Sequence, residues 1–376
     1  ASRLYNHETQ QELDVICFDR ITWTNGSSGL PNAPRILEFY THRVMDFNPT
    51  PTDNNWETLG NWTVNGEEAT SLPSTSDDVF INGKCVFNAA HDVYSVTVNP
   101  TGILTNTSSS NTFFYITATN GILVKDGGQI FTPNKANYNM TATFEKTIEG
   151  YTSESNNYYF ISIPYNVAIE NIESEYTTNG MLSGDYDLYY FDQKYPNSPD
   201  DDEMNGEWRN FKYYQENGYI SEGDDEDPYG SAYWHTNTSN STSFGYLYAN
   251  SQTTTLQFNG RLYTANNAYG KTITLEYIDE DSDYGYSADP RAIGFNLIGN
   301  PHSCNASVAA STGDVDGYYV MNEGRNDVIA QDDPIVGPCT ALFAKVSGTG
   351  NKVRFTKSEG EANVRNMGTP RINVEV

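Results

Sequence analysis

Basic residues are scarce in this chain of 376 residues: 21 Lys and Arg stand against 49 Asp and Glu, a formal net charge of -28. Nucleic-acid binding draws most of its affinity from cations that neutralise phosphates, and no basic run is present, so that class of partner is not expected. An anionic membrane surface would repel the chain for the same reason. Long apolar runs are missing too, none approaching the roughly 18 residues of a membrane-spanning helix. The opening ASRLYNHETQ has neither an initiator Met nor the apolar core of a signal peptide, as expected of a mature or trimmed product. Cysteine is rare. Four are too few for a disulfide scaffold, though an even number permits two bridges in a secreted protein, or four buried thiols. There is no nucleophile elbow, glycine-rich phosphate loop, histidine pair at metal spacing or Cys-x-x-Cys pair. Those absences point away from an enzyme, while a polysaccharide hydrolase or lyase, which needs little more than two carboxylates, stays open.

Aromatic rings are abundant instead: 28 Tyr, 17 Phe and 5 Trp make up 13% of the chain, too many for a disordered acidic polymer. Tyr, Phe, Thr, Val and Ile in short alternating runs between turn formers favour strands, so the expected class is all-β. Residues 1–55 carry strand text at Asp14 to Thr22 and Arg35 to Phe47, read as the end of a preceding module and closed by the linker NPTPTDNN. From 56 to 135 the texture turns to apolar triplets between Gly, Asn, Asp and Thr. Ile81, Val98 and Ile116 are 17 and 18 residues apart, and Phe87, Leu104 and Leu123 are 17 and 19 apart. A near-constant offset is what stacked coils need, since each coil buries its apolar residues only against its neighbours. The expectation is a short right-handed β-solenoid, with a sandwich of tight hairpins as the competing topology. From 140 to 356 the strands lengthen. Tyr186, Leu188 and Tyr190 share one face, as do Ile273, Leu275 and Tyr277, and repetition of this pattern predicts an antiparallel β-sandwich, jelly-roll-like. Residues 357–376 read as a linker and, in RINVEV, the first strand of a following module.

Trp56 and Trp62 precede Leu72-Pro73 and Asp77-Asp78-Val79-Phe80-Ile81. FISIPYN at 160–166, DLYYFDQ, Trp208, GYLYAN at 245–250, FNGRL at 258–262, GFNLIGNP at 294–301 and IVGPCTALFAKV follow in that order. The succession resembles a recurrent region of secreted and surface proteins of the Bacteroidota exported by the type IX secretion system, with Phe160 where those proteins usually carry Trp. The resemblance covers about residues 56 to 376. It implies an extracellular or outer-membrane-surface location and, beyond RINVEV, a sorting domain that is removed during export and is not in this sequence. It implies no particular chemistry, because such proteins carry many activities. Cysteine in both GNPHSC and VGPCTAL departs from the usual pattern. By the resemblance Cys304 and Cys339 end two neighbouring strands, which implies a bridge between them, with Cys17 and Cys85 as the second pair.

Three constellations are candidates for chemistry. His302 lies two residues from Cys304, and an imidazole beside a thiol can activate it. Acidic loops come second: Asp200, Asp202, Asn205 and Glu207 in one, Asp314 and Asp316 in another, supply the oxygen ligands calcium prefers, although none fits a complete calcium loop and solvated turns are the default. Loop aromatics come third: Tyr229, Tyr233 and Trp234, and Tyr284 with Tyr286, could stack on sugar rings, whereas tyrosines on strands are expected to pack the sandwich. The leading expectation is a non-enzymatic, exported, adhesin-like or structural protein that meets other surface proteins or its own copies through strand edges. The alternative is a glycan-binding module of a secreted carbohydrate-active protein. No cofactor is required by either, and calcium is the one ion the loops suggest.

Overall fold

The computed structural model describes residues 42–50, 53–107, 116–132, 141–152, 157–163, 181–182, 184–193, 208–212, 244–261, 270–278 and 292–364. All of these lie in the compact unit that begins at His42. The fold is all-β, as the alternation predicts. In chain order the first strands are β1 (Arg43–Phe47), β2 (Trp62–Val64), β3 (Glu67–Glu68), β4 (Asp77–Ile81), β5 (Lys84–Phe87), β6 (His91–Val93), β7 (Ser95–Val98), β8 (Ile103–Asn106), β9 (Ile116–Ala118), β10 (Ile122–Val124), β11 (Gln129–Phe131) and β12 (Thr141–Ile148).

Three parallel ladders run through them. β1, β4, β7, β10 and β12 pair in succession, β5, β8 and β11 form a second ladder, and β6 with β9 a third. Phe47, Ile81, Val98 and Val124 thus lie one above another, as do Cys85, Leu104 and Ile130, and all are buried. The 17-residue offset from Ile81 to Val98 is the true repeat. The next one is not. Ile116 belongs to the β6–β9 ladder, and the residue stacked on Val98 is Val124, 26 positions on. Likewise Phe87 meets Asn106, while Leu104 sits between Cys85 and Ile130. Two connections cause this: the turn from Val98 to Ile103 is longer than that from Ile81 to Lys84 and shifts Phe87 onto Asn106, and the connection from Asn106 to Ile116 is far longer than that from Phe87 to His91 and shifts the next coil.

Close stacking leaves marks on the corners of the coils. Asn99 donates its amide to Asn82, which donates in turn to Asn48 at 3.2 Å, so a polar ladder climbs with the apolar one. A Cβ at Gly102 would stand 2.3 Å from the Ile81 carbonyl oxygen, which only glycine permits. Asp77 points inward and is neutralised by Arg43 in a two-pronged pair at 2.8 and 2.7 Å. Trp62 donates its indole N–H to the Trp56 carbonyl at 2.8 Å, and the two rings meet edge to face at 4.8 Å.

The later strands are β13 (Tyr159–Ile161), β14 (Tyr186–Phe191), β15 (Trp208–Asn210), β16 (Tyr246–Asn250), β17 (Thr254–Arg261), β18 (Gly270–Thr274), β19 (Phe295–Gly299), β20 (Ala306–Thr312), β21 (Gly317–Met321), β22 (Val328–Ala330), β23 (Ile335–Val336), β24 (Ala341–Lys345) and β25 (Lys352–Lys357). β17 pairs antiparallel with β12 and so closes the long sheet of the coil stack. The rest form three antiparallel sheets: a tyrosine-rich one ordered β13-β16-β14-β15, a middle one ordered β19-β24-β21-β22, and an outer one ordered β18-β25-β20-β23.

Alternation assigns each face. In the tyrosine sheet Tyr159, Ile161, Tyr186, Leu188, Tyr190, Tyr246 and Tyr248 join the core of the coil stack, while Phe160 and Leu247 face the other way onto Leu297, Ala341 and Phe343 of the middle sheet. The middle sheet in turn sends Ile298, Val320, Leu342 and Ala344 to a further core shared with Ile273, Val308, Val353 and Phe355 of the outer sheet. Both the tyrosine sheet and the inner strands of the middle sheet therefore pack apolar side chains on both faces, and β16 (YLYAN) is buried at every position. Phe343 is the hub of the layer between them, meeting Phe160, Phe191, Trp208 and Phe295 edge to face with ring centroids 5.2, 4.9, 5.9 and 5.8 Å away.

Three expected boundaries move. Arg43–Phe47 is the first rung of the coil stack rather than the end of another module. The break at 135–140 is crossed by β12 and by one continuous core. The sandwich extends to Val364, since Asn363 and Val364 both donate their backbone N–H to the Ile335 carbonyl, at 3.1 and 3.0 Å. RINVEV lies outside the described residues. Truncating Phe343 to Ala should lower stability by about 3–5 kcal/mol, the usual cost of emptying a well-packed aromatic site. In urea titrations the loss should appear as one shared shift of the tryptophan fluorescence and far-ultraviolet circular dichroism transitions.

Candidate functional site

The segment from Gly299 to Ala306 (GNPHSCNA) holds the densest set of chemically capable side chains, and it sits where the coil stack meets the outer and middle sheets. Asn300 is fully buried. Its amide donates to the carbonyls of Cys304 (2.9 Å), Val336 (2.9 Å) and Gly337 (3.1 Å), and its oxygen accepts the His302 N–H at 2.9 Å. Ser303 and Ile130 exchange two bonds, Ile130 N to the Ser303 carbonyl and Ser303 Oγ to the Ile130 carbonyl, both 2.8 Å. The Asn305 N–H donates to Gln129 Oε1 at 2.9 Å. Lys357 reaches across to the Thr132 carbonyl and hydroxyl at 3.0 and 2.9 Å. The bonds of Ser303, Asn305 and Lys357 span the join between β11 and the sandwich, while those of Asn300 tie the segment to its own sheets.

His302 and Cys304 do not form an activated pair. Burial, then the neighbouring charges of Lys357, Lys271 and Arg354, push the His302 imidazole down to about 3, so the ring is neutral, and its Nε2 donates to the Phe355 carbonyl at 3.3 Å. Burial pushes the Cys304 thiol up to about 12. An attacking thiolate needs the opposite pair of shifts.

The expected disulfides are corrected as well. Cys85, Cys304 and Cys339 are buried free thiols. β19 and β24, the strands that carry Cys304 and Cys339 beyond their ends, are indeed neighbours. The side chains nevertheless enter different surroundings: Cys339 packs in the core of the coil stack and senses Lys146 and Asp126, whereas Cys304 senses Lys357 and Glu359. Cys85 is an interior rung of the second ladder, stacked on Leu104, and burial raises its thiol well above the usual range. Cys17 lies outside the described residues.

Asp314 and Asp316 are both exposed on the turn before β21, and Ser347 donates to Asp316 at 3.2 Å. No group of three or more His, Cys, Asp or Glu side chains is disposed to hold a metal ion among the described residues. Asp200, Asp202, Asn205, Glu207, Tyr229, Tyr233, Trp234, Tyr284 and Tyr286 lie outside the described residues. Of the strand tyrosines, Tyr159 and Tyr190 are core and Tyr158 and Tyr189 half-buried, as their alternation predicts.

One concavity went unnoticed at the level of sequence. A groove of about 410 Å³ opens beside the β9–β10 turn, with Thr117, Asn120, Thr141, Thr143 and Asn259 around Ile116 and Ile122. It joins residues from β9, β10, β12 and β17, and only the pairing of β12 with β17 brings Asn259 there. Among the described residues no helix is long and apolar enough to cross a membrane. Comparison with protein-family models, with curated proteins and with solved structures finds no match.

The sign of the His302 effect follows from its lowered value. Unfolding releases an imidazole that binds a proton near pH 6.5, so stability is full above that pH and falls as pH drops toward 3, at up to about 1.4 kcal/mol per pH unit. His302→Gln should flatten the difference in denaturant-derived stability between pH 6.5 and 4 relative to wild type; an unchanged slope would show that other groups govern it.

Proposed function

We propose that the protein is a non-enzymatic, exported, adhesin-like or structural module acting at the cell surface or outside the cell. The observation that carries this reading is the single core that runs from Met45 and Phe47 through Tyr159, Tyr190 and Tyr246 to Cys339. Coil stack and tyrosine sheet share that core, Gln129, Ile130 and Thr132 are bonded across to Asn305, Ser303 and Lys357, and His302, Asn300 and the Cys304 carbonyl are engaged in hydrogen bonds within the sandwich. A body without a soft join holds its faces in fixed relation, which suits a spacer or a platform that presents binding loops. The excess of acidic charge favours solubility outside the cell. The order of motifs resembling type IX cargo supports export by that route. Partners on this reading are other surface proteins or neighbouring copies of the chain.

Protease treatment of intact source cells should release peptides of this chain, or the chain should be recovered from the medium. Recovery only from the cytosol after lysis would defeat the reading.

The groove beside the β9–β10 turn favours a second reading, a glycan-binding module. Hydroxyl and amide side chains around an apolar floor are a composition that suits sugars, whose hydroxyls need partners and whose ring faces are apolar. Titration calorimetry against soluble polysaccharide fragments should then give binding that weakens about tenfold in an Asn120→Ala, Asn259→Ala double variant, two lost hydrogen bonds at about 0.5–1.5 kcal/mol each. Affinity unchanged in that variant would remove the groove from consideration.

A further inference from the structure

Edge strands are where sheets meet other chains, because one row of their backbone N–H and C=O groups has no partner in the sheet. The middle sheet ends at β22. Among the described residues four large apolar side chains are exposed, Val44, Leu59, Val328 and Ile329, and two of these are consecutive on this one strand, 38% and 49% exposed. Consecutive strand residues face opposite ways. Val328 and Ala330 lie opposite Met321 and Tyr319 and extend the layer around Phe343, whereas Ile329 lies opposite Val320 and extends the core shared with the outer sheet. Two apolar layers thus run out into solvent at the same edge.

Two other sheet ends are guarded. The long sheet ends in the exposed pair Glu67 and Glu68 of β3, and β23 is covered by Asn363 and Val364. β22 carries no Lys, Arg or Pro. The phase of its ladder is fixed by Asn322 N donating to the Asp327 carbonyl and Gln331 N to the Tyr318 carbonyl, both at 2.9 Å. Positions 327, 329 and 331 therefore turn their backbone groups toward β21, and those of Val328 and Ala330 point outward. One of these outward donors, Val328 N, is held by Asp327 Oδ1 at 2.7 Å.

We propose that β22 is a homotypic docking edge, to which a second copy of this chain adds its own β22 antiparallel about a two-fold axis at Ile329. The proposal rests on the reading of the protein as a structural surface module and names its partner. In this register Val328 and Ala330 of the two copies exchange their outward N–H and C=O groups, the Val328 donor leaving the Asp327 carboxylate for a carbonyl. Ile329 meets Ile329 of the second copy, Asp327 meets Gln331, and Asn326 meets Asp332, so no like charges stand opposite. A slip of two residues that brings Asp333 toward the first residue of the strand sets Asp327 against Asp333, a like-charge pair that disfavours it. The register centred on Ile329 avoids that pair and also satisfies the backbone. The net charge of -28 opposes association, and salt screens that repulsion, so pairing strengthens as ionic strength rises.

Sedimentation equilibrium of the full chain in low salt and in about 0.5 M salt, where screening acts within a few ångströms, tests this directly. The expected result is a monomer–dimer equilibrium that tightens with salt, is weakened at least tenfold by Ile329→Lys, and is unaffected by Val44→Lys, an equally exposed apolar site elsewhere. Thermal melts of both variants confirm that each is folded; if Ile329→Lys is not, Ile329→Ser takes its place. A monomer at every concentration and salt overturns the proposal, and so does a dimer that persists with Ile329→Lys or is lost equally with Val44→Lys. Protease release from intact cells reads the parent proposal separately, so a surface-exposed chain that stays monomeric defeats the docking edge alone.

Discussion

A strand sends alternate side chains to opposite faces, and in this protein the inner strands of two successive sheets are covered on both. That constraint governs the rest. A sheet with one wet face tolerates polar residues at every second position, whereas YLYAN in β16 and ALFA in β24 have no such freedom, and their runs are buried residue after residue. A shift of one residue in either strand would exchange the contents of two cores at once. It would move Tyr246 and Tyr248 from the coil-stack core into the layer around Phe343 and put Leu247 in their place. Register is therefore held from both sides, and no layer can loosen without exposing the next. Glycine is required where the sheets approach most closely: a Cβ at Gly299 would stand 2.4 Å from the Ser162 side chain and 2.6 Å from the Phe244 carbonyl oxygen.

Apolar layers fix faces but leave sliding along the strand less determined, and the polar join between β11 and the sandwich supplies what they lack. Ser303, Asn305 and Lys357 bond across to Ile130, Gln129 and Thr132, and Asn300 holds the segment that carries them by satisfying three carbonyls and one N–H within the sandwich. Removing any such partner would leave a buried group unpaired, at about 1–3 kcal/mol. Such bonds have strict geometry, so a displaced arrangement of the two parts is penalised in proportion to the number broken. The neutral state of His302 belongs to the same logic. A charged imidazole beside Lys357, Lys271 and Arg354 would add a further cation to a buried place, so burial and repulsion together keep it uncharged, and its N–H serves the Phe355 carbonyl. What the spacing of His302 and Cys304 suggested as reactivity is, in three dimensions, cohesion.

Strand alternation was readable without coordinates, and so was the inward set Tyr186, Leu188, Tyr190. The coil repeat was readable for one interval. It held for Ile81 and Val98 but not for Phe87 and Leu104, and failed in both series at the next interval, because periodicity senses spacing along the chain, and longer connections at Val98 to Ile103 and at Asn106 to Ile116 change spacing without changing the stack. The boundary near 135–140 failed for a related reason. TATFEKTI alternates as any strand does, and nothing in it tells that one neighbour, β10, is parallel and the other, β17, antiparallel. The cysteines show a further limit: adjacent strands were anticipated, yet whether two side chains leave those strands toward the same core depends on local backbone, and Cys339 adopts a φ of 56°, which redirects it. The groove was invisible because its residues are separated by up to about 140 positions and none is unusual in kind.

Edges connect this architecture to the composition of the surface. A protein built as successive sheets multiplies strand edges, and each is a place where another chain can pair. Excess acid is a general answer, since it repels every other copy at a distance, but it weakens with salt and acts on no edge in particular. Local answers supplement it at β3, with two glutamates, and at β23, with a covering segment. β22 has the general protection and, in the Asp327 carboxylate that holds the Val328 N–H, a single local one. A carboxylate bound to one backbone donor is a weak guard, because a carbonyl offered by an incoming strand replaces it at little cost and frees the charge to solvent. The apolar pair Val328 and Ile329 makes that exchange more favourable, since burying either side chain against a new strand gains what leaving it exposed forgoes. Where the same sequence guards the edges at β3 and β23 and leaves β22 apolar on both faces, the difference has a physical consequence: contact between copies, once repulsion is screened, is favoured at this strand.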